Sequence, residues 1–281
     1  MYYLYVLGNI IALTLPRDIC YLIAKLAALM RFYFSKKDRQ TVIYNLQPVV
    51  EDKKNIRKYA KEVFINFAYY LVDFHRHSKV NHDFIKKYVR ISGLENVNKC
   101  LTQGKGAIIL SAHLGNYELA GAITSILGYP LSVVALPHAD KRINQFFVDS
   151  RAKSGTKVIS TGTALRGCIL ALKQGGLLAL LGDRDFSGSK LKLKMFGREA
   201  YFPRGVTFFA LKTGACVIPT FLVRENKKFY NFTFEKPILF SKGKGAKESI
   251  MQQYISILER YIKKYPQQWY LFEKYWLPVQ H

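Results

Sequence analysis

Apolar residues fall into runs of different period along this chain. Residues 2–16 carry no charged side chain, and 19–34 are apolar apart from Lys25 and Arg31. Each run stops short of the ~20 apolar residues that span a bilayer, and Pro16-Arg17-Asp18 separates them. They predict two hydrophobic helices, lying in a membrane interface as a monotopic anchor or packed as a hairpin on the rest of the protein. No basic stretch precedes the first run and no small-residue cleavage site follows it, so no signal peptide is expected. Within 38–77, Val63, Phe64, Phe67, Tyr70, Leu71 and Phe74 recur at helical spacing and predict a core-facing stripe.

From residue 107 the pattern changes. Short apolar runs at 107–110, 131–136, 157–160, 177–181, 216–223 and 229–235 read as strands. Between and after them, 119–127, 140–153, 163–173, 206–213 and 248–264 read as helices. The charge-free stretch 119–139 is broken by Gly128-Tyr129-Pro130, a turn that makes it two elements rather than a membrane span. Strands alternating with helices predict an α/β fold with a mostly parallel central sheet covered by helices. The expected organisation is a hydrophobic membrane-association segment, 1–36, followed by a single α/β domain, 37–281.

Charge narrows the partners. Forty-three Lys and Arg against 19 Asp and Glu give +24, which calls for something anionic: nucleic acid, acidic lipid or an acidic protein. The basic residues are spread over many small clusters, including Lys190-Lys192-Lys194 and Lys242-Lys244-Lys247, and no nucleic-acid-binding module accompanies them. With 14% aromatic residues, they fit a protein lying against anionic membrane lipids, with no nucleic acid as partner. Four isolated cysteines form no C-x-x-C pair; neither structural zinc nor a disulfide framework is expected, and a reducing compartment is.

The candidate chemistry sits in Lys105–Gly121. A strand over 107–110 ends just before His113, Gly115-Asn116 supplies a turn and an N-cap, and Glu118 falls in the first turn of the next helix. The turn lets Glu118 fold back onto one imidazole nitrogen, giving a general base of the kind that activates a hydroxyl. No Ser-x-Gly elbow or nearby cysteine offers a covalent nucleophile, so direct attack by a substrate hydroxyl is expected. The bland alternative is a capping histidine and a solvated glutamate. A second polar cluster, Gly182-Asp183-Arg184-Asp185, closes the strand at 177–181, and one of its two carboxylates is expected to face the site. Pro203-Arg204-Gly205 opens a helix in a manner suited to an anion. His75, His77 and His82 lack ligand spacing, so no metal is expected there.

Together these blocks resemble the bacterial lipid A late acyltransferase family, the lauroyl/myristoyl transferases within the lysophospholipid acyltransferase superfamily. The matching pieces are Arg39 with Asn45-Leu46, the run from Ser111 to Glu118, Arg151 near Gly155, Gly182-Asp183-Arg184-Asp185, Arg204-Gly205 with Thr213-Gly214-Ala215, and Pro266-x-Gln268-Trp269. The resemblance implies transfer of a fatty acyl chain from an acyl-carrier-protein or acyl-CoA thioester to a hydroxyl of a glycolipid, with a lipid A precursor ahead of other glycolipids, and no cofactor beyond the thioester co-substrate. It assigns His113 as general base and Glu118 as its partner. Arg151 and one of Asp183 and Asp185 become further polar site residues, beside Arg184, and Arg204 a contact for a head group or carrier. It also implies the cytoplasmic face of a bacterial inner membrane, with peripheral or monotopic attachment. A non-catalytic membrane scaffold of the same fold is the competing reading.

Overall fold

The computed structural model describes residues 2–137, 139–160, 162, 164–185, 188–241 and 243–278. Thr163, the expected first residue of a helix, and Lys242 of a basic cluster lie outside them. Four helices come first: α1 (Tyr2–Thr14), α2 (Arg17–Phe34), α3 (Lys36–Leu46) and α4 (Ile56–His75). The region expected to be helical over 38–77 is thus two helices, separated where Pro48 interrupts the pattern. Next come α5 (His82–Tyr88), β1 (Val89–Ser92) and α6 (Leu94–Leu101). Strict alternation follows, through β2 (Ala107–Ser111), α7 (Tyr117–Ile126), β3 (Leu131–Ala135), α8 (Lys141–Ala152), β4 (Lys157–Ser160), α9 (Ala164–Lys173) and β5 (Leu177–Leu181). A hairpin of β6 (Lys190–Met195) and β7 (Arg198–Pro203) precedes α10 (Gly205–Thr213), β8 (Cys216–Arg224), β9 (Tyr230–Phe234) and α11 (Ala246–Lys264).

Seven strands form the main sheet in the order β1-β9-β8-β2-β5-β3-β4, and every neighbouring pair is parallel except β8 with β9. β2 lies at its centre and is buried on both faces, as a parallel interior strand requires. Its even positions, Ile108 and Leu110, join the core formed with α9, α10 and α11. Ala107 and Ile109 join the opposite core with α6 and α7. The β6–β7 hairpin stands apart as a two-stranded antiparallel sheet. Its Lys190, Lys192 and Lys194 alternate with the buried Leu191 and Met195, a period-two strand inside what reads as a simple basic cluster.

No helix among the described residues is long and apolar enough to cross a membrane. α2 instead packs one face on α3 and α4, burying Ala28 and Phe32 with Val63 and Phe64. Its first turn is fastened by Asp73 of α4, which accepts from the Tyr21 hydroxyl at 2.5 Å and from Arg17 Nη2 at 3.3 Å. Arg224 and Tyr230 bind the same carboxylate from β8 and β9. Burial pushes the Asp73 carboxyl up, but the two guanidinium groups and the tyrosine hydroxyls outweigh it and hold it below its ordinary value. The other face of α2 leaves Leu22, Leu26 and Met30 exposed, and α1 does the same with Tyr3, Leu7 and Ile10.

Candidate active site

Two adjacent parallel strands deliver the central pair. β2 and β5 run in register with Ser111 opposite Leu181, and just beyond, the Gly182 N–H donates to the Ser111 carbonyl at 2.8 Å. Two residues past the paired ends, His113 and Asp183 stand side by side. His113 Nδ1 lies 2.9 Å from Asp183 Oδ1, and the His113 main-chain N–H donates to Oδ2 at 3.0 Å. Trp269 Nε1–H donates to the same oxygen at 3.4 Å. Asp183 is wholly buried. Burial pushes its carboxyl up, yet the charge of His113 and these hydrogen bonds prevail and hold it below the usual carboxylate range.

Glu118 does not reach the imidazole. Asn116 caps α7, its Oδ1 accepting the Leu119 N–H at 3.1 Å while its amide donates to Asp73 at 3.1 Å. Glu118 therefore falls in the first helical turn, as expected, but Arg151 from the last turn of α8 takes both its oxygens, Nε to Oε2 at 3.0 Å and Nη2 to Oε1 at 2.6 Å. The expected His113–Glu118 dyad is corrected accordingly: Asp183 orients the ring, and Glu118 orients Arg151. The cause is the strand order. β5 lies beside β2 and brings a carboxylate to Nδ1, whereas a guanidinium offers a buried carboxylate the stronger two-pronged partner. Burial pushes Glu118 up and Arg151 more than reverses this, with the charge of His113 still adding to the effect; the two pairs share one site.

The rest of the second cluster separates after β5 ends. Two residues apart on a strand share a face, so the end of the strand, and not alternation, parts Asp183 from Asp185. Asp183 faces His113; Asp185 accepts the Gly188 N–H at 3.0 Å, and Arg184 pairs with Glu273. Arg204 precedes α10 on the rim, exposed, with its main-chain N–H donating to Ser189. No group of three or more His, Cys, Asp or Glu among the described residues is placed to hold a metal ion.

His113, Glu118, Arg151, Arg184, Asp185 and Arg204 all line one cavity of about 970 Å³. α4, α7 and α8 contribute polar lining with Tyr70, Tyr117, Thr124 and Arg151, and β3, α9 and α10 an apolar wall with Val133, Leu165 and Phe208. Leu136, Leu165 and Phe208 remain at least 41% exposed, so the apolar wall runs out to the surface.

The loop that carries His113 is held from the far end of the chain. The Gly115 N–H donates to the Gln268 carbonyl at 2.9 Å, and the Tyr270 N–H to the His113 carbonyl at 2.8 Å. The Gln268 amide in turn clamps both main-chain groups of Arg224, at 2.8 and 2.7 Å. Asn45 fixes the following segment through the carbonyls of Leu271 and Glu273. Pro266-x-Gln268-Trp269 and Asn45 therefore serve as the scaffold of the site, and of these only Trp269 touches the central pair.

Fold and site together place the chain among α/β proteins whose strand-end cleft suits a ligand that is polar at one end and apolar at the other. Within that class it belongs to the bacterial lipid A biosynthesis acyltransferase family, whose profile matches residues 1–278. A phosphatidylinositol mannoside acyltransferase of Mycobacterium tuberculosis (strain ATCC 25618 / H37Rv) is 25% identical over 191 residues, 66% of this chain and 60% of that protein. A lipid A biosynthesis palmitoleoyltransferase of Escherichia coli (strain K12) is 22% identical over 188 residues, again 66% and 60%. The matches thus span 60% of the length of these relatives.

Proposed function

We propose that this chain is an O-acyltransferase that moves a fatty acyl group from a thioester to a hydroxyl of a glycolipid, with His113 as general base. The observation that carries this reading is the buried Asp183 carboxylate on Nδ1 of His113, at a cavity with one polar and one apolar wall. Asp183 keeps the hydrogen on Nδ1, so Nε2 takes the proton of the acceptor hydroxyl. The hydroxyl oxygen attacks the thioester carbonyl carbon, the C–O bond forms and the C–S bond breaks. The proton held by His113 then passes to the departing sulfur. The acyl chain lies on the apolar wall, and Arg151, oriented by Glu118, meets the polar part of a substrate.

The thioester is carried by acyl carrier protein, with acyl-CoA as the alternative donor. An acidic carrier is steered by the +24 charge and met at the rim by Arg204 and Lys247, so the encounter weakens with salt. The chain sits peripherally on the cytoplasmic face of a bacterial inner membrane, and the exposed apolar stripes of α1 and α2 support that placement. A lipid A precursor is the first acceptor by family; the mannoside acyltransferase relatives make a mannosylated phospholipid the second. Mass spectrometry of lipids from cells lacking the gene, complemented with wild type or His113→Ala, tests this. One glycolipid is expected to lose a single acyl chain that only wild type restores, and its mass identifies the acceptor. Full restoration by His113→Ala removes the base from the mechanism and favours a scaffold.

A further inference from the structure

Behind His113 the cavity runs back along one face of the sheet. Ile109, Val133 and Ala179 line it and side with the core under α7, whereas Val134 and Leu180 side with the core under α9 and α10. Strand register gives the depth on the α7 face. Ile109 and Val133 both pair with Ala179, level with a point four residues before His113. Ala107 and Leu131 both pair with Leu177, two residues further back. At about 3.3 Å per residue these levels lie roughly 13 and 20 Å from His113. Val133, Ala179 and Gly121 of α7 are half-buried, while Leu131, Thr124 and Thr156 are buried, so the open space stops between the two levels with Leu131 as its floor. The Thr124 hydroxyl donates to the Ala120 carbonyl at 2.8 Å, and Thr156 Oγ1 lies 2.9 Å from Ser125 Oγ. Neither hydroxyl at this inner end asks for a ligand.

Gly121 stands over that floor in the middle of α7 (Tyr117–Ile126). A glycine inside a helix is destabilising relative to alanine, and nothing in the packing asks for one here. Its backbone lies outside the left-handed region, and a Cβ on it would meet only Leu131 Cδ2, at 3.7 Å, an ordinary contact. What the missing side chain leaves is cavity. A dead end of this depth, floored by Leu131 and sided by Ile109, Val133 and Ala179, rejects a sugar or phosphate, which would lose its water there without new partners. An alkyl chain loses nothing by entering. We infer that Gly121 sets the length of the acyl chain this protein accepts, the methyl end of the chain filling the space between Gly121 and Leu131. This rests on the acyl-transfer reading above for its chain-bearing donor. Gly121 determines selectivity at a point remote from the reacting atoms, and a chain too short to reach it is indifferent to it.

Binding without turnover tests this. Saturated acyl-CoA thioesters, from octanoyl to hexadecanoyl in single-carbon steps and below their micelle concentrations, are titrated calorimetrically into the protein with no acceptor present. Wild-type affinity is expected to rise about fourfold with each added methylene and to level off at the chain length whose methyl end reaches Leu131. In Gly121→Leu the break should come about three carbons earlier, because the added side chain takes up that much of the space, with octanoyl-CoA bound as tightly as by wild type. Gly121→Ala should move the break by about one carbon and melt no lower than wild type, alanine being the better helix former. A break that stays in place in Gly121→Ala and in folded Gly121→Leu overturns the inference, and so does wild-type affinity that ignores chain length. An unchanged lipid profile on loss of His113 would sink the acyl-transfer reading and leave the positions of these breaks intact, so the two failures are told apart.

Discussion

At the scale of single residues, the site turns on which carboxylate a histidine meets. Asp183 receives three donors: the ring Nδ1, the His113 main-chain N–H and the Trp269 indole N–H. An asparagine there keeps the shape but puts an NH2 group among donors, which turns the ring or switches its tautomer. Asp183→Asn is expected to lower turnover by about 10²–10⁴-fold with KM for the thioester little changed. Because the two residues act as a unit, the double variant with His113→Ala should be no slower than the slower single one, and fully additive losses would contradict the pairing. The candidate residues were legible in the sequence as neighbours: His113, Glu118 and Arg151 line one cavity, with Asp183 buried against the His113 ring. Their pairing was not. Glu118 is five positions from His113 while Asp183 is far away in the chain, and only the adjacency of β2 and β5 makes the distant carboxylate the nearer one.

At the scale of elements, the β2–α7 connection depends on one backbone turn. Gly115 has φ +67°, and a Cβ there would sit 2.1 Å from the Leu222 carbonyl oxygen. Gly128, at the other end of α7, has φ +91° with nothing within 4 Å of the same position. Gly128→Ala should therefore cost only the left-handed backbone term, about 1–3 kcal/mol, while Gly115→Ala must also move β8 or the loop bearing His113. Thermal melts with parallel activity measurements check this: Gly115→Ala should melt well below Gly128→Ala and lose activity, and equal melting temperatures would contradict the close approach. Sequence periodicity caught the buried strands around this turn because they are short apolar runs. It missed the β6–β7 hairpin, whose alternation of lysine with Leu191, Leu193 and Met195 was masked by its charge. It also missed β1, a four-residue edge strand too short to show a period.

At the scale of the whole molecule, several titrating groups are buried with the fold and all push in one direction. Burial lowers His75 and His77 from an ordinary 6.5 to about 4, so between those values the unfolded chain binds more protons than the native one. Stability then rises with pH through that window. Asp73, Glu118 and Asp183 are held below their ordinary values and extend the loss of stability to lower pH. His77 alone accounts for about 3 kcal/mol at most across the window. Urea midpoints should fall steadily from about pH 7 to about pH 4, and a level profile would contradict the burial of these rings. The clasp of Gln268 and Tyr270 on the His113 loop bears on a different matter, the order in which the molecule is built. A ribosome delivers His113 long before the segment that holds its loop, so the site is closed only by contacts between parts distant in the sequence. A growing chain is thus expected to lack a positioned His113 ring until translation has passed Tyr270.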